Sequence, residues 1–479
     1  MKAGGLNPLS PLDVDDAPKR VHVVSLGCAK ALVDTEVMLA QLERRGYSPT
    51  NDEEAELYLI NTCGFLEEAL AETFGEIERL VELKAAHPGS RLAVVGCASE
   101  ALKGGIAERF PQVDLVAGTG ALARIGELVD RMERRRKAEP LLDFPPPGGA
   151  YDGNPDPLPE RVALTLPHIA YLKLAEGCDL GCTFCAIPAL RGPQRSRPVE
   201  HLIAEAVSLV EEGVRELILV AQETTAYGRD LYGEPSLVRL LTELCLQLPE
   251  DDVWVRLLYP NPARVDAELL GCFANLPQLV PYLDFPFQHA DGAVLRSMGR
   301  PGDAQTLSSV VALARETVPG LVLRGTALVG FPAEDGAAFD RLVRFVEETG
   351  FDHLGVFTYS ARPGTRAADE LGDPISREIK ELRAEALHDL QEAVSLARHD
   401  GLVGTQDDVL VDAVAARGAV ARSRRFCPDV DGVVEVSLPE GHGWLPGDFR
   451  RVAYTAAGPY DLFAEPLNEG KGFKPLVSS

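Results

Sequence analysis

Four apolar runs of this chain close on a cysteine: VHVVSLGC at Cys28, ELYLINTC at Cys63, RLAVVGC at Cys97 and IAYLKLAEGC at Cys178. Between them lie helical patterns such as LVDTEVMLAQLERRG and LEEALAETFGEIERLVELKAA. Strand and helix therefore alternate, and that order folds as a parallel sheet covered by helices. Functional groups of such sheets gather beyond the carboxyl ends of the strands. All of these cysteines stand at such ends.

The last of them opens a closer set. In EGCDLGCTFCAIP, Cys178, Cys182 and Cys185 have C-x3-C-x2-C spacing. Zinc sites pair two C-x2-C units and a bacterial ferredoxin needs C-x2-C-x2-C-x3-C-P, and the chain has neither. Buried structural thiols would explain one such residue more easily than three at fixed spacing. Iron-sulfur clusters normally take four protein ligands, so three suggest a 4Fe-4S cluster with one iron open to a substrate. The triplet resembles that of the radical S-adenosylmethionine (SAM) superfamily. The resemblance implies that SAM chelates the open iron through its amino and carboxylate groups, and that reduction releases a 5'-deoxyadenosyl radical.

Size and charge bound the rest. The 479 residues predict roughly three domains, and 46% hydrophobic with 25% charged residues describe a globular chain. The opening MKAGGLNPLSPLDVDDAPKR has no apolar core of a signal peptide, and no run reaches membrane-spanning length. A cytoplasmic, membrane-free protein is expected, in which nine cysteines serve as metal ligands or buried thiols. A net charge of −26 repels nucleic-acid phosphates and suits a basic partner, although acidity can also serve solubility alone.

Residues 20–130 read as an N-terminal doubly wound parallel sheet, extended by a fourth run, VDLVAGTG. Cys28, Cys63 and Cys97 share strand-end positions there, which suits a second cluster with an open iron; the competing reading is three unrelated buried thiols. Residues 131–165, with RMERRRK and then LLDFPPPGGAYDGNPDPLPE, read as an interdomain linker. Arg134, Arg135, Arg136 and Lys137 read as a solvated helix C-terminus.

Residues 166–400 carry IAYLKLAEGC, ELILVAQ, VWVRLLY, YLDFPFQ, LVLRGTALVG and HLGVFTYS with helical segments between them. Six strand-helix units predict a partial (βα)6 barrel with its chemistry at the C-terminal strand ends. SAM contacts are expected there. Gln222 and Glu223 offer polar groups to a ribose hydroxyl or the methionine ammonium, and Gly325 and Gly330 offer bare backbone to an adenine. Arg191, Arg195 and Arg197 suit a carboxylate of SAM or of a substrate. Turn or packing glycines and surface charge are the plainer alternatives.

From residue 402 to 467 the short runs DVLVDAVAA, GAVARS, GVVEVSL and FRRVAYTAA predict a small antiparallel β-barrel of OB-like character. Such barrels often bind RNA. Residues 405–467, however, carry ten Asp or Glu against six Arg and no Lys, and lack a cluster of aromatics for base stacking. A protein ligand suits this barrel better.

The chain resembles the radical SAM methylthiotransferase family over nearly its whole length, on SLGCAKALVDTE, NTCGF, GCASE, EGCDLGCTFCAIPALRGPQRSRP, ALVGFPAED and FTYSARPGT. The resemblance implies an auxiliary 4Fe-4S cluster on Cys28, Cys63 and Cys97, a SAM cluster on Cys178, Cys182 and Cys185, and a C-terminal TRAM domain. Cys245, Cys272 and Cys427 match no ligand position and read as buried thiols. One branch of the family acts on tRNA adenosine, the other on an aspartate of ribosomal protein twelve of the small subunit. VRLLYPNP, FPFQHAD, DVDGVVEV and GPYDLFAE resemble the ribosomal-protein branch, which makes Gln288 and His289, beside Arg195 and Arg197, substrate candidates. GCASE and FPAED depart from the usual Gln-Arg after the third cysteine and the usual Phe-Pro-Gly-Glu.

The implied reaction uses SAM twice: to methylate a sulfur held on the auxiliary cluster, and to make the radical that takes a hydrogen from the aspartate β carbon. An unactivated C–H bond has no acidic proton for a general base, so cofactor chemistry must do the hard step, with an electron donor as a further partner. The readings set against it are a tRNA adenosine methylthiotransferase and a non-catalytic iron-sulfur protein. A monomer is expected, because no amphipathic helix is left without an obvious partner.

Overall fold

The computed structural model describes residues 18–64, 67–135, 139–148 and 160–467. They fall into two compact units parted near residue 145, with residues 160–162 returning to the first. Phe65 of NTCGF, and Arg136 and Lys137 of the basic cluster, lie outside the described residues.

The first unit is a six-stranded sheet: β1 (Lys19–Ser25), β2 (Tyr47–Thr50), β3 (Leu57–Thr62), β4 (Arg91–Gly96), β5 (Leu115–Ala117) and β6 (Leu141–Asp143), in the order β2-β1-β3-β4-β5-β6. Every pair is parallel. Leu57 and Leu59 pack on one face with Leu39 and Leu128, while Tyr58 and Ile60 pack on the other with Ile77 and Leu80. Burial on both faces is why these strands are continuous apolar runs, without the alternation of a half-exposed sheet. The chain reverses direction across the sheet between β1 and β3, the place where such sheets open a crevice.

The segment expected as a linker, residues 131–165, is only partly one. Its first residues belong to the helix Ile125–Arg134, and Leu141–Asp143 pairs with β5. Buried Leu141 completes the apolar core, and ladder bonding overrides the proline-rich composition that follows.

The second unit begins with β7 (Ile169–Lys173), β8 (Ala175–Glu176), β9 (Arg195–Ser196), β10 (Glu216–Val220), β11 (Trp254–Leu257), β12 (Tyr282–Gln288), β13 (Val322–Val329) and β14 (His353–Thr358). Six of these form two three-stranded parallel sheets, β11-β10-β7 and β12-β13-β14, joined by a bridge between Val255 and Leu279. Leu172, Leu217, Leu257, Leu283 and Phe285 pack in one apolar core beneath the helices. The alternate positions carry polar side chains, among them Glu216, Arg256, Asp284 and Arg324.

After the helix Arg377–Asp400, five strands close a small barrel: β15 (Gln406–Ala415), β16 (Gly418–Ser423), β17 (Val434–Ser437), β18 (Phe449–Ala457) and β19 (Leu462–Pro466), in the order β15-β16-β17-β19-β18. The short acidic run of β19 escaped the sequence reading. Its pairing with β17 is parallel, so the barrel is not wholly antiparallel. No helix among the described residues is long and apolar enough to cross a membrane.

Candidate active site

The triplet loop leaves β7 and is clasped by β8 against β9, with Glu176 opposite Arg195. Gly177 makes the turn at φ +77°, where an added Cβ would lie 2.1 Å from the Pro193 carbonyl oxygen. A glycine alone lets the chain come that close. The Cys178 N–H then donates to the Gly192 carbonyl at 3.1 Å, and the Leu180 N–H to Cys178 Sγ at 3.4 Å. From the far side, Thr183 donates through its N–H to the Met298 carbonyl at 2.9 Å and through Oγ1 to the Ser297 carbonyl at 2.8 Å.

Burial pushes the Cys178 thiol up to about 11 and the Cys185 thiol up to about 12, and raises Cys182 as well. Buried Arg300 opposes the shift at Cys182 and Cys185. Raised in this way the thiols hold their protons at neutral pH, and binding a metal would release them. Among the described residues no three His, Cys, Asp or Glu side chains converge closely enough for a single metal ion. A cube of four irons holds its ligand sulfurs farther apart than one ion does, and three thiols on one clasped loop suit it.

Beside the loop, Glu176 gathers Lys173, Arg191 at 3.3 Å and Gln222 at 3.0 Å. Arg191 and Gln222, read separately from the sequence, thus meet on one carboxylate that the sequence reading passed over. The adjoining cleft, of about 500 Å³, is lined by Asp179, Gln194, Glu223 and Arg264 among others. Burial raises the Glu223 pKa, with Thr225 and Arg264 pulling it back, and Arg264 Nη1 stands 2.6 Å from its Oε2. Gln222 Oε1 and Gln194 Nε2 are buried without a hydrogen-bond partner. Orphaned acceptor and donor atoms beside a cleft of this size, together with carboxylates and a guanidinium, fit a ligand carrying hydroxyl, ammonium and carboxylate groups, as SAM does.

The remaining sequence candidates are not among the residues lining this cleft. Arg195 is exposed, but Arg197 is buried, pairs with Glu205 at 2.6 Å and donates to the Lys173 carbonyl at 3.1 Å, so it braces the fold. Gln288 ends β12 half-buried at φ +68°. His289 is wholly buried: its Nδ1 accepts the Asp291 N–H at 2.9 Å, which puts the proton on Nε2, 3.2 Å from Glu334 Oε2. Gly325 is a packing glycine, since a Cβ there would lie 2.8 Å from Leu354 and 2.9 Å from Phe351. Gly330 likewise packs on Lys380, with its N–H donating to Glu334 at 3.0 Å. Cys245, Cys272 and Cys427 are buried. Lys173 and Glu176 carried no sequence signal beyond their closeness to a strand end, and Arg300, just after the helix Gly292–Ser297, carried none.

In the first unit, Cys28, Cys63 and Cys97 follow β1, β3 and β4, which are consecutive in the sheet. Neighbouring strands lie about 5 Å apart, so three residues far apart in sequence become neighbours. Gly27, at φ +96°, lies against Cys63, and a Cβ there would be 3.0 Å from Cys63 Cβ. Gly64 abuts Ala98, next to Cys97, where a Cβ would be 2.8 Å from Ala98 Cα. Cys28 is exposed, and Cys63 and Cys97 half-buried. Cys28 also stands at the N-terminus of the helix Ala29–Glu43, which favours a thiolate. Three reachable thiols on one rim fit a cluster with an open side.

A clasped triplet at the carboxyl ends of six parallel strands, beside a polar cleft, defines a radical SAM enzyme. The chain matches the Radical SAM superfamily over residues 172–346, the "Uncharacterized protein family UPF0004" over 20–118 and the TRAM domain over 403–467. It is similar to the ribosomal protein uS12 methylthiotransferase RimO of Syntrophus aciditrophicus, 41% identical over 94% of this chain and 98% of that protein. To the protein of the same name from Geobacter sulfurreducens it is 39% identical over 95% of this chain and 100% of that one. Among solved structures it is similar to the radical S-adenosylmethionine methyltransferase TsrM from Kitasatospora setae, at 14% identity and a TM-score of 0.55, over 82% of this chain and 76% of that one. That likeness speaks for the fold alone. The chain belongs to the ribosomal protein uS12 methylthiotransferase family of radical SAM enzymes.

Proposed function

We propose that this enzyme methylthiolates the β carbon of an aspartate in ribosomal protein uS12, with two 4Fe-4S clusters. Cys178, Cys182 and Cys185 would hold the SAM cluster, and Cys28, Cys63 and Cys97 the auxiliary one. The observation that carries the reading is the presence, in one chain, of two cysteine triads, each gathered at the carboxyl ends of parallel strands. When bound, cluster and SAM supply the one-electron chemistry needed to remove hydrogen from an unactivated carbon. The chain's own share is to hold and orient. Glu176, with Lys173, Arg191 and Gln222, braces the triplet loop, and Glu223 and Gln194 present a carboxylate and an amide to the SAM ammonium or ribose.

The substrate assignment is supported by the relatives, named for uS12, and by charge. In the small barrel Arg422 and Arg425 are spent on Glu216 and Asp352 of the parallel strands and their loops, while Glu435, Glu440 and Glu465 are exposed. Among the barrel's exposed charged side chains Asp429, Glu435, Glu440 and Glu465 stand against Arg417, so the outward surface stays acidic, which suits a basic protein and repels tRNA. An enzyme of ribosomal protein works in the cytoplasm, and this one acts as a monomer with an external electron donor.

The test is an anaerobic assay of reconstituted enzyme with SAM, reductant and sulfide, offered small ribosomal subunits and tRNA separately and read by peptide and nucleoside mass spectrometry. A methylthio group in place of hydrogen on an aspartate of uS12 is the expected result. The same gain on a tRNA adenosine would overturn the substrate, and cluster assembly without SAM cleavage would overturn the activity.

A further inference from the structure

The small C-terminal barrel reaches into the parallel strands with the loop between β16 and β17. Tyr282 Oη donates to Asp431 Oδ2 at 2.6 Å, Tyr171 Oη to Asp429 Oδ2 at 3.1 Å, and Arg256 Nη1 to the Arg424 carbonyl at 3.1 Å. The loop is tied internally, because the Cys427 N–H also donates to Asp431 Oδ2, at 2.8 Å. Tyr282 opens β12, and Tyr171 and Arg256 stand midway along β7 and β11.

From Asp431 a line of polar contacts runs to the cleft. Asp431 Oδ1 lies 3.4 Å from Arg324 Nε, and Arg324 Nη1 donates to Asp284 Oδ1 at 3.4 Å. Asp284 Oδ2 accepts the Tyr259 N–H at 3.0 Å. The Tyr259 carbonyl accepts the Thr224 N–H at 3.2 Å, and Thr224 adjoins Glu223 on the wall of the cleft. Both carboxylates are almost fully buried. Burial opposes the Arg324 charge, yet Asp284, Tyr282 and Asp431 outweigh it. Tyr259 is left-handed at φ +61°, a conformation that a tyrosine keeps only when its surroundings hold it.

We propose that Asp431, Arg324 and Asp284 are positioning residues that hold Tyr259 in its left-handed turn, and through it the Thr224–Glu223 edge of the cleft. The seating of the C-terminal barrel is then read at the catalytic end of the strands. The inference rests on the reading of the Glu223 cleft as the SAM site.

The experiment uses full-length protein and four variants: Asp284→Ala, Asp284→Asn, Asp431→Asn and, as control, Asp412→Asn. Asp412 binds Arg422 at 2.6 Å and His168 at 2.9 Å in the same contact between barrels but stands off the line. Two quantities are read. One is hydrogen exchange of the Tyr259 and Thr224 amides without SAM; the other is the split between KM and kcat when SAM cleavage is followed by release of deoxyadenosine. Asp284→Ala and Asp431→Asn should speed exchange and raise KM about tenfold with a smaller fall in kcat. Asp284→Asn keeps an oxygen for the Tyr259 N–H and should recover most of the KM, and Asp412→Asn should stay near the parent protein.

Equal effects of Asp431→Asn and Asp412→Asn in both readouts would overturn the proposal, as would equal losses in the two Asp284 variants. If Asp284→Ala does not fold, the two asparagine variants on the line decide. A wrong cleft reading shows separately, since Glu223→Gln would then leave the SAM KM unchanged while the exchange result stands.

Discussion

Arg256 and Glu216 pair at 2.7 Å with neither side chain exposed to solvent. Glu216 also receives Arg422 of the small barrel, so one buried carboxylate answers two buried guanidiniums. Glu216→Ala would leave buried Arg256 without its carboxylate and Arg422 with Asp412 alone, and should cost about 3–5 kcal/mol in denaturant unfolding; a loss below ~1 kcal/mol would mean water reaches the cluster. Burial alone would raise the Glu216 pKa, but Arg422 and Arg256 outweigh it and hold it below the ordinary 4.5. A depressed carboxylate contributes stability above about 4.5 and loses it as pH falls through the folded value. The cluster's contribution should therefore be complete above about pH 4.5 and fall away below it, and Glu216→Gln should flatten that part of the acid-unfolding curve.

The two cysteine triads should separate by function. Cys182→Ala should abolish both SAM cleavage and product, whereas Cys63→Ala should keep cleavage and lose product. Iron content should fall from about eight per chain to about four in either variant. Product from Cys63→Ala would remove the auxiliary cluster from the scheme.

Gly27→Ala tests the auxiliary rim without touching a ligand. Its Cβ would press on Cys63 at 3.0 Å from Cβ and 3.1 Å from Sγ, from a backbone at φ +96°. Strain of about 1–3 kcal/mol is expected there. Iron should be lost from this rim while SAM cleavage at the triplet continues, and intact iron content would show the rim to be more yielding than its geometry implies.

Gly325→Ala separates packing from cofactor contact. The added methyl would meet Leu354 and Phe351 at 2.8–2.9 Å, so overpacking of about 1–3 kcal/mol should appear as a lower melting temperature. SAM affinity in the surviving folded protein should be unchanged. A large loss of affinity at unchanged stability would return Gly325 to the cofactor site.

Legibility followed the range of the interactions. The strands ending at Cys28, Cys63, Cys97 and Cys178 were plain in the sequence because two-sided burial writes itself as unbroken apolar runs. Strands β2, β6 and β19 were not, because YSPT, LLD and LFAEP are strands only where a neighbour supplies the hydrogen bonds. Arg197 and His289 stood close to strand ends, but the direction a side chain takes from the backbone decides whether it meets ligand or core. Sequence distance carries no record of that direction.

The sequence by itself determined the chemistry: cysteine types and spacings are covalent facts, and no packing alters how many thiolates a cluster can find. It also determined the alternation of elements, which is local periodicity. Only the tertiary structure decided which polar groups meet. Glu176 collects Lys173, Arg191 and Gln222, and Asp431 is linked to Tyr259 by an ion pair to Arg324 and hydrogen bonds through Asp284, because strand order and register bring distant residues together. Those contacts are set by the closing of the sheet, in which each residue's partner is chosen by the neighbouring strand.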